Sequence, residues 1–362
     1  MKAVVVTPRQ GGSGRVQEVP TPEPKAEEAL VEVIEVGVCG TDLEILRGDY
    51  GEAPPGDDYL VIGHENFGRV VKAPENGNSD LKEGDYCVCI VRRPDPVPCP
   101  QCAAGEFDMC SNGRYTERGI KGLHGFMSEY YIEDPQYIVK LPEALSEIGV
   151  LIEPLPVVEK GVIQAEEIQR RMTWTPHEAV VTGAGPIGLM ATLLLRSRGY
   201  DVYTYDIVEP DNMRARMAEE SGAKYVQGGE NGETLNDLCA RIGGVDLIVE
   251  ATAFPPLVFE AIDAVGPNGV VCLTGVSAGS RKLEVEGAKL NLEMVLDNKV
   301  VFGTVNANRR YFEAAVKDLQ TFEQTWPGLC AKMITRRVPV DNYEEALEPR
   351  AGIDVKSTIS FR

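Results

Sequence analysis

A glycine-rich turn in the second half of the chain constrains its fold more than any other feature. Residues 183–188 have the sequence GAGPIG, which fits the pattern G-x-G-x-x-G. The turn follows an apolar segment at residues 179–182 and leads into a run with helical spacing, so it predicts a strand, a tight turn and a helix in succession. Backbone amides at the first turn of such a helix bind a pyrophosphate. We therefore expect a dinucleotide site formed by Gly183, Gly185, Pro186, Ile187 and Gly188.

An aspartate at the end of the next predicted strand bears on which dinucleotide binds. Asp206 follows the apolar segment at residues 202–205 and lies 206 − 188 = 18 residues past Gly188. A carboxylate at this distance accepts hydrogen bonds from the ribose hydroxyls and repels the 2′-phosphate of NADP. Arg214 and Arg216 lie farther on, where we expect the solvated face of a helix. The sequence therefore predicts that NAD is preferred and that NADP is possible.

The arrangement of predicted elements indicates an α/β chain with two domains. Strand-like and helix-like segments alternate from residue 178 to about residue 304, which predicts a doubly wound parallel sheet of the Rossmann type. The first 150 residues instead contain short strands separated by proline and glycine, among them residues 29–38, 67–71 and 126–132, as in a barrel-like β domain. We expect residues 1–172 and 306–362 to form the β-rich domain and residues 173–305 to form the Rossmann domain.

Charge and cysteine content exclude several classes of partner. The chain has 56 acidic and 36 basic residues and a formal net charge of −20, so its surface repels phosphate backbones and anionic lipids. We expect no nucleic acid and no membrane partner. Nine cysteines, in a chain whose first residues do not resemble an export signal, predict reduced thiols and a cytoplasmic location. The acidity is equally compatible with adaptation to high salt and with an acidic enzyme from an ordinary environment.

Three segments of the chain contain residues suited to binding a metal. Cys39 lies in GVCGTD, His64 and Glu65 lie in GHENFG, and Glu153 is an isolated carboxylate in an apolar stretch. Singly, each is as compatible with a core or surface role as with a metal site. Together, a thiolate, an imidazole and a carboxylate suit zinc and leave the fourth tetrahedral position open, as a catalytic zinc requires.

At these residues the chain resembles the zinc-dependent medium-chain dehydrogenase/reductase superfamily. GVCGTD, GHENFG, GAGPIG, EATAF and NKVVFGTVNAN occur in that order, over nearly the whole chain. The resemblance implies a GroES-like catalytic domain followed by a Rossmann domain. Residues 115–120, YTERGI, and residues 122–129, GLHGFMSE, are similar to the archaeal-type glucose dehydrogenase branch, and the acidic composition is similar to its halophilic members.

The resemblance also assigns roles to individual residues. It implies one catalytic zinc held by Cys39, His64 and Glu153, with Glu65 as an alternating ligand or a substrate contact. It implies that Glu117 and Asn306 bind sugar hydroxyls. The substrate-binding residues expected are Thr41, Glu117, Glu153 and Asn306, and the cofactor site is expected to include Thr252, Thr274 and Val305 as well.

Two features depart from the pattern of the relatives. Many of them have a lobe with four cysteines for a second, structural zinc, whereas this chain has only Cys99, Cys102 and Cys110, with Pro96 at the first position. A three-thiol site assisted by Asp95 and an empty lobe are both compatible with the sequence. Several glucose dehydrogenases of this kind have basic residues where this chain has Asp206, so the cofactor preference is predicted from this sequence alone.

The reaction expected is oxidation of an aldose, D-glucose first, at C1 to the lactone, with hydride transfer to the nicotinamide. Thr41 could pass the proton outward or Glu65 could act as the base, and the sequence leaves both open. Two alternatives remain: a polyol or secondary-alcohol dehydrogenase with the same zinc chemistry, and a non-catalytic nucleotide-binding or structural homologue. Relatives are dimers or tetramers, often joined at the sheet edge near residues 300–305, so a homo-oligomer is expected by analogy.

Overall fold

The structure is a computed structural model that describes residues 1–76, 79–230, 232–277, 280–348, 350 and 352–362. Its strands are β1 (Lys2–Val6), β2 (Arg15–Glu18), β3 (Ala29–Gly37), β4 (Leu60–Val61), β5 (Glu65–Lys72), β6 (Tyr86–Cys89), β7 (Arg92–Arg93), β8 (Thr116–Arg118), β9 (Gly122–Leu123), β10 (Tyr130–Glu133), β11 (Ile138–Leu141), β12 (Glu178–Thr182), β13 (Asp201–Asp206), β14 (Lys224–Gln227), β15 (Leu247–Glu250), β16 (Val270–Leu273), β17 (Val300–Gly303), β18 (Ile334–Pro339) and β19 (Lys356–Ser360). Its α-helices are α1 (Gly40–Arg47), α2 (Pro100–Ala103), α3 (Leu155–Gln169), α4 (Pro186–Ser197), α5 (Met213–Glu220), α6 (Leu235–Ile242), α7 (Pro255–Ala264), α8 (Gly287–Leu296), α9 (Arg309–Thr325), α10 (Leu329–Met333) and α11 (Tyr343–Leu347). Among the described residues, no helix combines the length and the hydrophobicity that a membrane span requires.

The first compact unit comprises residues 1–156, 306–320 and 330–362. Its largest sheet has seven strands in the order β11-β6-β5-β3-β19-β18, and β10 also pairs with β3. Strand β3 alternates buried and half-buried residues up to Val33, so that one of its faces packs on the core and the other is partly wet. The C-terminal strand β19 runs antiparallel to β3 and parallel to β18, and it lies between these two strands in the sheet. Most of the β-strands of the chain lie in this unit.

The second compact unit comprises residues 157–305 and 321–329. Its six parallel strands have the order β14-β13-β12-β15-β16-β17, and α4 to α8 connect them. The chain starts in the middle, moves outward to β14 and then crosses back to β15 beside β12, which is the doubly wound order. The strands β12, β15 and β16 are buried almost throughout, as expected of a parallel sheet covered on both faces. The predicted doubly wound parallel sheet is therefore confirmed.

Helix α3 determines where the first division between the two units falls. We expected the boundary at residue 172, beyond this helix, but the units divide at residue 156, in its first turn. Two polar contacts of this helix lie within the second unit. Glu159 accepts a hydrogen bond of 2.6 Å from Arg198, and Lys160 Nζ donates to the carbonyl oxygen of Val305 at 3.0 Å. The helix therefore supports the parallel sheet.

Candidate active site

Two turns in the first unit hold the residues expected to bind the metal. Cys39 occupies the N-cap position of α1, where its backbone N–H donates to Asp42 Oδ2 at 3.0 Å. His64 follows Gly63, whose φ of +87° is in the region that favours glycine. A Cβ atom on Gly63 would lie 2.4 Å from Met127 Cγ, so glycine is also needed for packing. With glycine at position 63 the backbone packs closely against Met127, and His64 Nε2 lies 3.2 Å from Cys39 Sγ.

Cys39, His64 and Asp42 form a contiguous chain of polar groups. Cys39 Sγ lies 3.2 Å from His64 Nε2, and His64 Nδ1 lies 3.7 Å from Asp42 Oδ1. Asp42 is completely buried, and neither its Oδ1 nor His64 Nδ1 has a hydrogen-bond partner among the described residues. A ligating histidine commonly has a carboxylate on its second ring nitrogen to fix its orientation. The Asp42 carboxylate lies on this side of His64, 3.7 Å from Nδ1 and so beyond hydrogen-bonding distance, and the sequence analysis did not identify it although GVCGTD contains it.

The carboxylate of Glu153 also lies close to His64. Ligand atoms of His64, Glu65 and Glu153 all lie within 4.8 Å of one another, as do those of Cys39, Asp42 and His64. The two groups share His64, while Cys39 and Glu153 belong to different groups. The structure therefore brings both expected ligands to the same imidazole but does not place them in one group.

The electrostatics of this cluster fit a divalent cation. Burial raises the pKa of Glu153 to about 7 and raises the pKa of Asp42 above its ordinary value. The pKa of His64 is raised well above its ordinary value, because the effect of burial is outweighed by the Cys39 thiolate and the Asp42 carboxylate. A thiol and three carboxyl groups thus share a poorly hydrated space with few positive charges. A zinc ion would favour the ionised forms of Cys39 and Glu153, so the residues present fit this metal.

Glu65 is held in an ion pair that the sequence analysis did not predict. Lys356 Nζ, on β19, donates to Glu65 Oε1 at 2.8 Å and to Oε2 at 2.6 Å, and the two side chains are only 2% and 4% exposed. The ammonium group also lies 3.3 Å from the carbonyl oxygen of Val38. Both oxygens of Glu65 therefore accept a hydrogen bond from the lysine, which holds this carboxylate in place beside His64. The sequence offers one indication of the pair, a lysine within the buried segment VKSTIS.

The expected sugar contacts also lie in the first unit. Asn306 Nδ2 donates to Glu117 Oε1 at 2.9 Å, although 189 residues separate them. Asn306 has φ of +59°, a conformation that asparagine tolerates better than most residues. Thr41 is the second residue of α1 and is half-buried. Glu117 is buried and pairs with Arg92, a residue that the sequence analysis did not identify.

The three-cysteine lobe is assembled without a fourth histidine, cysteine or carboxylate ligand among the residues that the structure describes. The thiols of Cys99, Cys102 and Cys110 lie within 4.8 Å of one another. Hydrogen bonds from backbone N–H groups, that of Cys102 first, lower the pKa of Cys99 to about 6, while burial raises that of Cys102 to about 11. The carboxylate of Asp95 accepts hydrogen bonds from Asn112, Arg114 and the Val97 amide. Asp95 is thus committed to other partners, which disfavours it as the fourth ligand.

The glycine-rich turn in the second unit has the geometry expected of a dinucleotide site. Gly183 has φ of +95°, and its N–H donates to the carbonyl oxygen of Tyr205 at 2.8 Å. A Cβ atom on Gly188 would lie 1.7 Å from the carbonyl oxygen of Gly183, so the helix can approach the strand only with glycine there. A Cβ atom on Gly185 would meet nothing within 4 Å, and no side chain caps the helix amides that follow it. The turn therefore offers space and free donors for a pyrophosphate.

The other expected cofactor residues lie at the carboxyl ends of parallel strands. Asp206 ends β13, and its carboxylate accepts hydrogen bonds from the backbone N–H groups of Ala184 and Ile207. The N–H of Thr252, after β15, donates to Glu250 Oε1 at 2.8 Å, and Thr274, after β16, donates its hydroxyl to the Glu250 carbonyl oxygen at 2.7 Å. Val305, after β17, is exposed. Ligands of such sheets bind at this edge, at the point where the strand order reverses.

Comparison with protein families covers almost the whole chain. Residues 25–143 match the alcohol dehydrogenase GroES-like domain, and residues 146–361 match the glucose dehydrogenase C-terminus. The first match lies within the β-rich unit, and the second spans the parallel sheet and the C-terminal strands. The expected combination of a GroES-like and a Rossmann domain is confirmed.

Individual relatives support the same assignment. Glucose 1-dehydrogenase of Methanocella arvoryzae is 45% identical over 96% of each chain, and that of Thermoproteus tenax is 41% identical over 96% of this chain and 95% of its own. The crystal structure of Haloferax mediterranei glucose dehydrogenase in complex with NADP, Zn and gluconolactone superposes with a TM-score of 0.90, at 34% identity, over 100% of this chain and 99% of that one. With its metal-binding cluster, its dinucleotide turn and these relatives, the chain belongs to the glucose dehydrogenase branch of the zinc-dependent medium-chain dehydrogenase/reductase superfamily.

Proposed function

We propose that this protein is a zinc-dependent glucose 1-dehydrogenase that oxidises D-glucose at C1 to the lactone and transfers the hydride to a nicotinamide dinucleotide. The observation that carries the proposal is the conjunction of two candidate ligand groups that share His64, one with Cys39 and one with Glu153, with a Glu117–Asn306 pair in the same unit. Relatives named glucose 1-dehydrogenase match 96% of the chain, and one related structure contains NADP, Zn and gluconolactone.

In this proposal Cys39, His64 and Glu153 hold the zinc. When bound there, zinc supplies the Lewis acidity that makes a sugar hydroxyl easier to deprotonate near neutral pH. Both oxygens of Glu65 are paired with Lys356, so we assign the proton of the C1 hydroxyl to a relay through Thr41, whose hydroxyl accepts that proton while it passes its own proton outward.

Recognition of the sugar is assigned to Glu117 and Asn306. A carboxylate and an amide discriminate strongly between a substrate hydroxyl and its absence, because they are left unpaired in a dry site when the hydroxyl is missing. Each unsatisfied group then costs roughly 1 to 3 kcal/mol. We expect Glu117→Ala and Asn306→Ala to damage glucose oxidation far more than dinucleotide binding.

For the cofactor, we propose that NAD is preferred and NADP is accepted less well. The support is Asp206, whose carboxylate is fixed beside the glycine-rich turn by hydrogen bonds from backbone amides. A 2′-phosphate placed at the same ribose would meet this negative charge. Gly183, Gly185, Ile187 and Gly188 provide the phosphate-binding turn, and the ends of β15, β16 and β17 provide Thr252, Thr274 and Val305.

The remaining proposals concern assembly and location. Strand β17 is an edge of the parallel sheet, and on the neighbouring helix α8 the side chains of Leu292, Val295 and Leu296 are 57%, 66% and 68% exposed. An uncovered edge with apolar neighbours favours a homo-oligomer, a dimer or tetramer, joined near residues 300–305. The nine cysteines are all free thiols, which supports a reducing, cytoplasmic location.

The test is a substrate panel measured with NAD and NADP at low and high salt. Glucose, xylose, sorbitol and simple alcohols separate an aldose dehydrogenase from a polyol or secondary-alcohol dehydrogenase. We expect the highest kcat/KM for glucose, and at least about tenfold less for 2-deoxyglucose or 3-deoxyglucose, since one lost hydroxyl contact is worth about 1.4 kcal/mol or more. Higher activity on sorbitol than on any aldose would refute the assignment.

A further inference from the structure

Arg92 is fixed against Glu117 by the register of two short strands. Arg92 on β7 and Glu117 on β8 are directly opposite each other in an antiparallel pair. Their side chains therefore lie on the same face, where Arg92 Nε and Nη2 each lie 3.0 Å from Glu117 Oε1. Both side chains are only 7% exposed, so water screens the pair little.

The guanidinium group of Arg92 is itself immobilised from two other directions. Its Nη1 donates to the carbonyl oxygen of Asp108 at 2.9 Å, and its plane lies over the ring of Tyr115 with 3.8 Å from Cζ to the ring centroid. A guanidinium with three sets of contacts has little freedom to rotate. Arg92 is thus held rigidly and can fix the position of the Glu117 carboxylate.

All the polar contacts of the Glu117 carboxylate fall on the same oxygen. Oε1 accepts hydrogen bonds from Arg92 Nε and Asn306 Nδ2 and also lies 3.0 Å from Arg92 Nη2 in the ion pair, whereas Oε2 accepts no hydrogen bond from any residue that the structure describes. The segment that contains Asn306 makes a second contact near Arg92, because Asn308 Nδ2 donates to Asp108 Oδ1 at 2.9 Å and the carbonyl oxygen of Asp108 accepts from Arg92. One carboxylate oxygen is therefore used for support and the other is left for a ligand.

We propose that Arg92 is a positioning residue for sugar recognition: it fixes the rotamer of Glu117 so that Oε2 is presented to a substrate hydroxyl. This inference rests on the proposed function, because it deepens the role assigned there to Glu117. Arg92 acts only through Glu117 and makes no contact with the sugar. It also prevents the buried carboxylate from carrying an uncompensated charge, so that Glu117 remains an acceptor in the free enzyme.

A double-mutant cycle on the zinc-loaded enzyme tests this mechanism. Arg92→Met is measured in the wild-type background and in the Glu117→Gln background, with kcat and KM for glucose and for 3-deoxyglucose. We expect Arg92→Met alone to lower kcat/KM for glucose about tenfold or more, mainly through KM, and to reduce the preference for glucose over the deoxy sugar. In the Glu117→Gln background the same change should cost no more than about twofold. If Arg92→Met proves insoluble, Arg92→Lys, which keeps the charge and loses the fork, should give the same pattern with a smaller effect.

Arg93 provides a matched control on the next residue. Arg93 pairs with Glu133, and their side chains are 11% and 6% exposed, so Arg93→Met also breaks a buried ion pair. It should lower the stability of the fold while leaving the ratio of kcat/KM values for glucose and 3-deoxyglucose unchanged. Equal losses from Arg92→Met in both backgrounds, or an equal change of that ratio in Arg93→Met, would overturn the inference while leaving the proposed function intact. A wild-type enzyme without glucose activity would overturn both.

Discussion

Replacing Lys356 with methionine tests the ion pair beside the metal cluster. Methionine has nearly the length of lysine without its charge, so the change leaves the Glu65 carboxylate buried without its two hydrogen bonds of 2.8 and 2.6 Å. Removing one partner of a buried pair costs about 3 to 5 kcal/mol, because the remaining charge is neither hydrated nor neutralised. With the two side chains only 2% and 4% exposed, we expect a loss within this range rather than the smaller loss of a surface pair.

The double variant Lys356→Met with Glu65→Gln separates an unpaired charge from a packing defect. Replacing both members by neutral groups of similar volume is often nearly neutral, so most of the lost free energy of unfolding should return. Lys140→Met is the control, because Lys140 and Asp85 form a 2.7 Å pair whose side chains are 43% and 17% exposed. The Lys140→Met change should lower the free energy of unfolding by less than about 1 kcal/mol.

The assay is equilibrium unfolding in urea, followed by circular dichroism and by tryptophan fluorescence, on the zinc-loaded protein and after chelation. If the Lys356→Met variant lost less than about 1 kcal/mol, the pair would not stabilise the fold as argued. If the double variant were as unstable as the single one, the loss would come from packing around Lys356 and not from the stranded charge of Glu65.

Three further predictions concern the metal and the cofactor. Chelation or His64→Ala should abolish glucose oxidation while circular dichroism shows a largely intact fold, and a metal-free enzyme that works at the normal rate would contradict the metal assignment. Asp206→Ser should shift the ratio of kcat/KM values for NAD and NADP toward NADP by about tenfold or more, since it removes the repulsion of the 2′-phosphate; a native enzyme that favours NADP would contradict this. Elemental analysis should give one zinc per chain, because the lobe of Cys99, Cys102 and Cys110 lacks a fourth histidine, cysteine or carboxylate ligand in the described part of the chain, and two tightly held ions would refute that expectation.

The parallel-sheet unit was predictable because its determinants are local. Gly188 is required by its approach to the Gly183 carbonyl oxygen within one turn and Gly183 by its φ of +95°, and the strand before them has the continuous apolar character of a buried parallel strand. Cys39 and His64 were likewise identified from short motifs. Each motif contains both the ligand and the glycine that lets the backbone approach it.

The segment at residues 126–132 shows where local pattern fails. An apolar run predicted a strand there, yet β10 begins only at Tyr130. Phe126 and Met127 are fully buried, but their N–H groups donate to the carbonyl oxygens of Gly63 and Ile62, just before His64. Their apolarity serves the packing of the turn that carries a metal-site residue. The apolar composition of this segment predicts that Phe126 and Met127 are buried. It does not predict that their N–H groups bond to Ile62 and Gly63.

The supporting residues were not predictable for a related reason. Lys356 and Arg92 are ordinary basic residues in the sequence, and their roles follow only from strand pairings that bring distant segments together. Strand β19 beside β3 carries Lys356 to Glu65, and β7 opposite β8 carries Arg92 to Glu117. Sequence motifs identify groups with reactive chemistry, whereas the groups that hold them are fixed by topology.

The long separation between Glu65 and its lysine has a consequence for biosynthesis. The two residues are 291 positions apart, with the entire parallel-sheet unit between them. At about 5 to 20 residues per second, the ribosome needs roughly 15 to 60 s to make that stretch. During this interval the nascent β-rich unit lacks β18 and β19, the edge of β3 that β19 later covers is open, and Glu65 has no lysine. The ion pair therefore forms only after Lys356 has left the exit tunnel, long after Cys39, His64 and Glu153 have been made, and until then the Glu65 carboxylate depends on hydration.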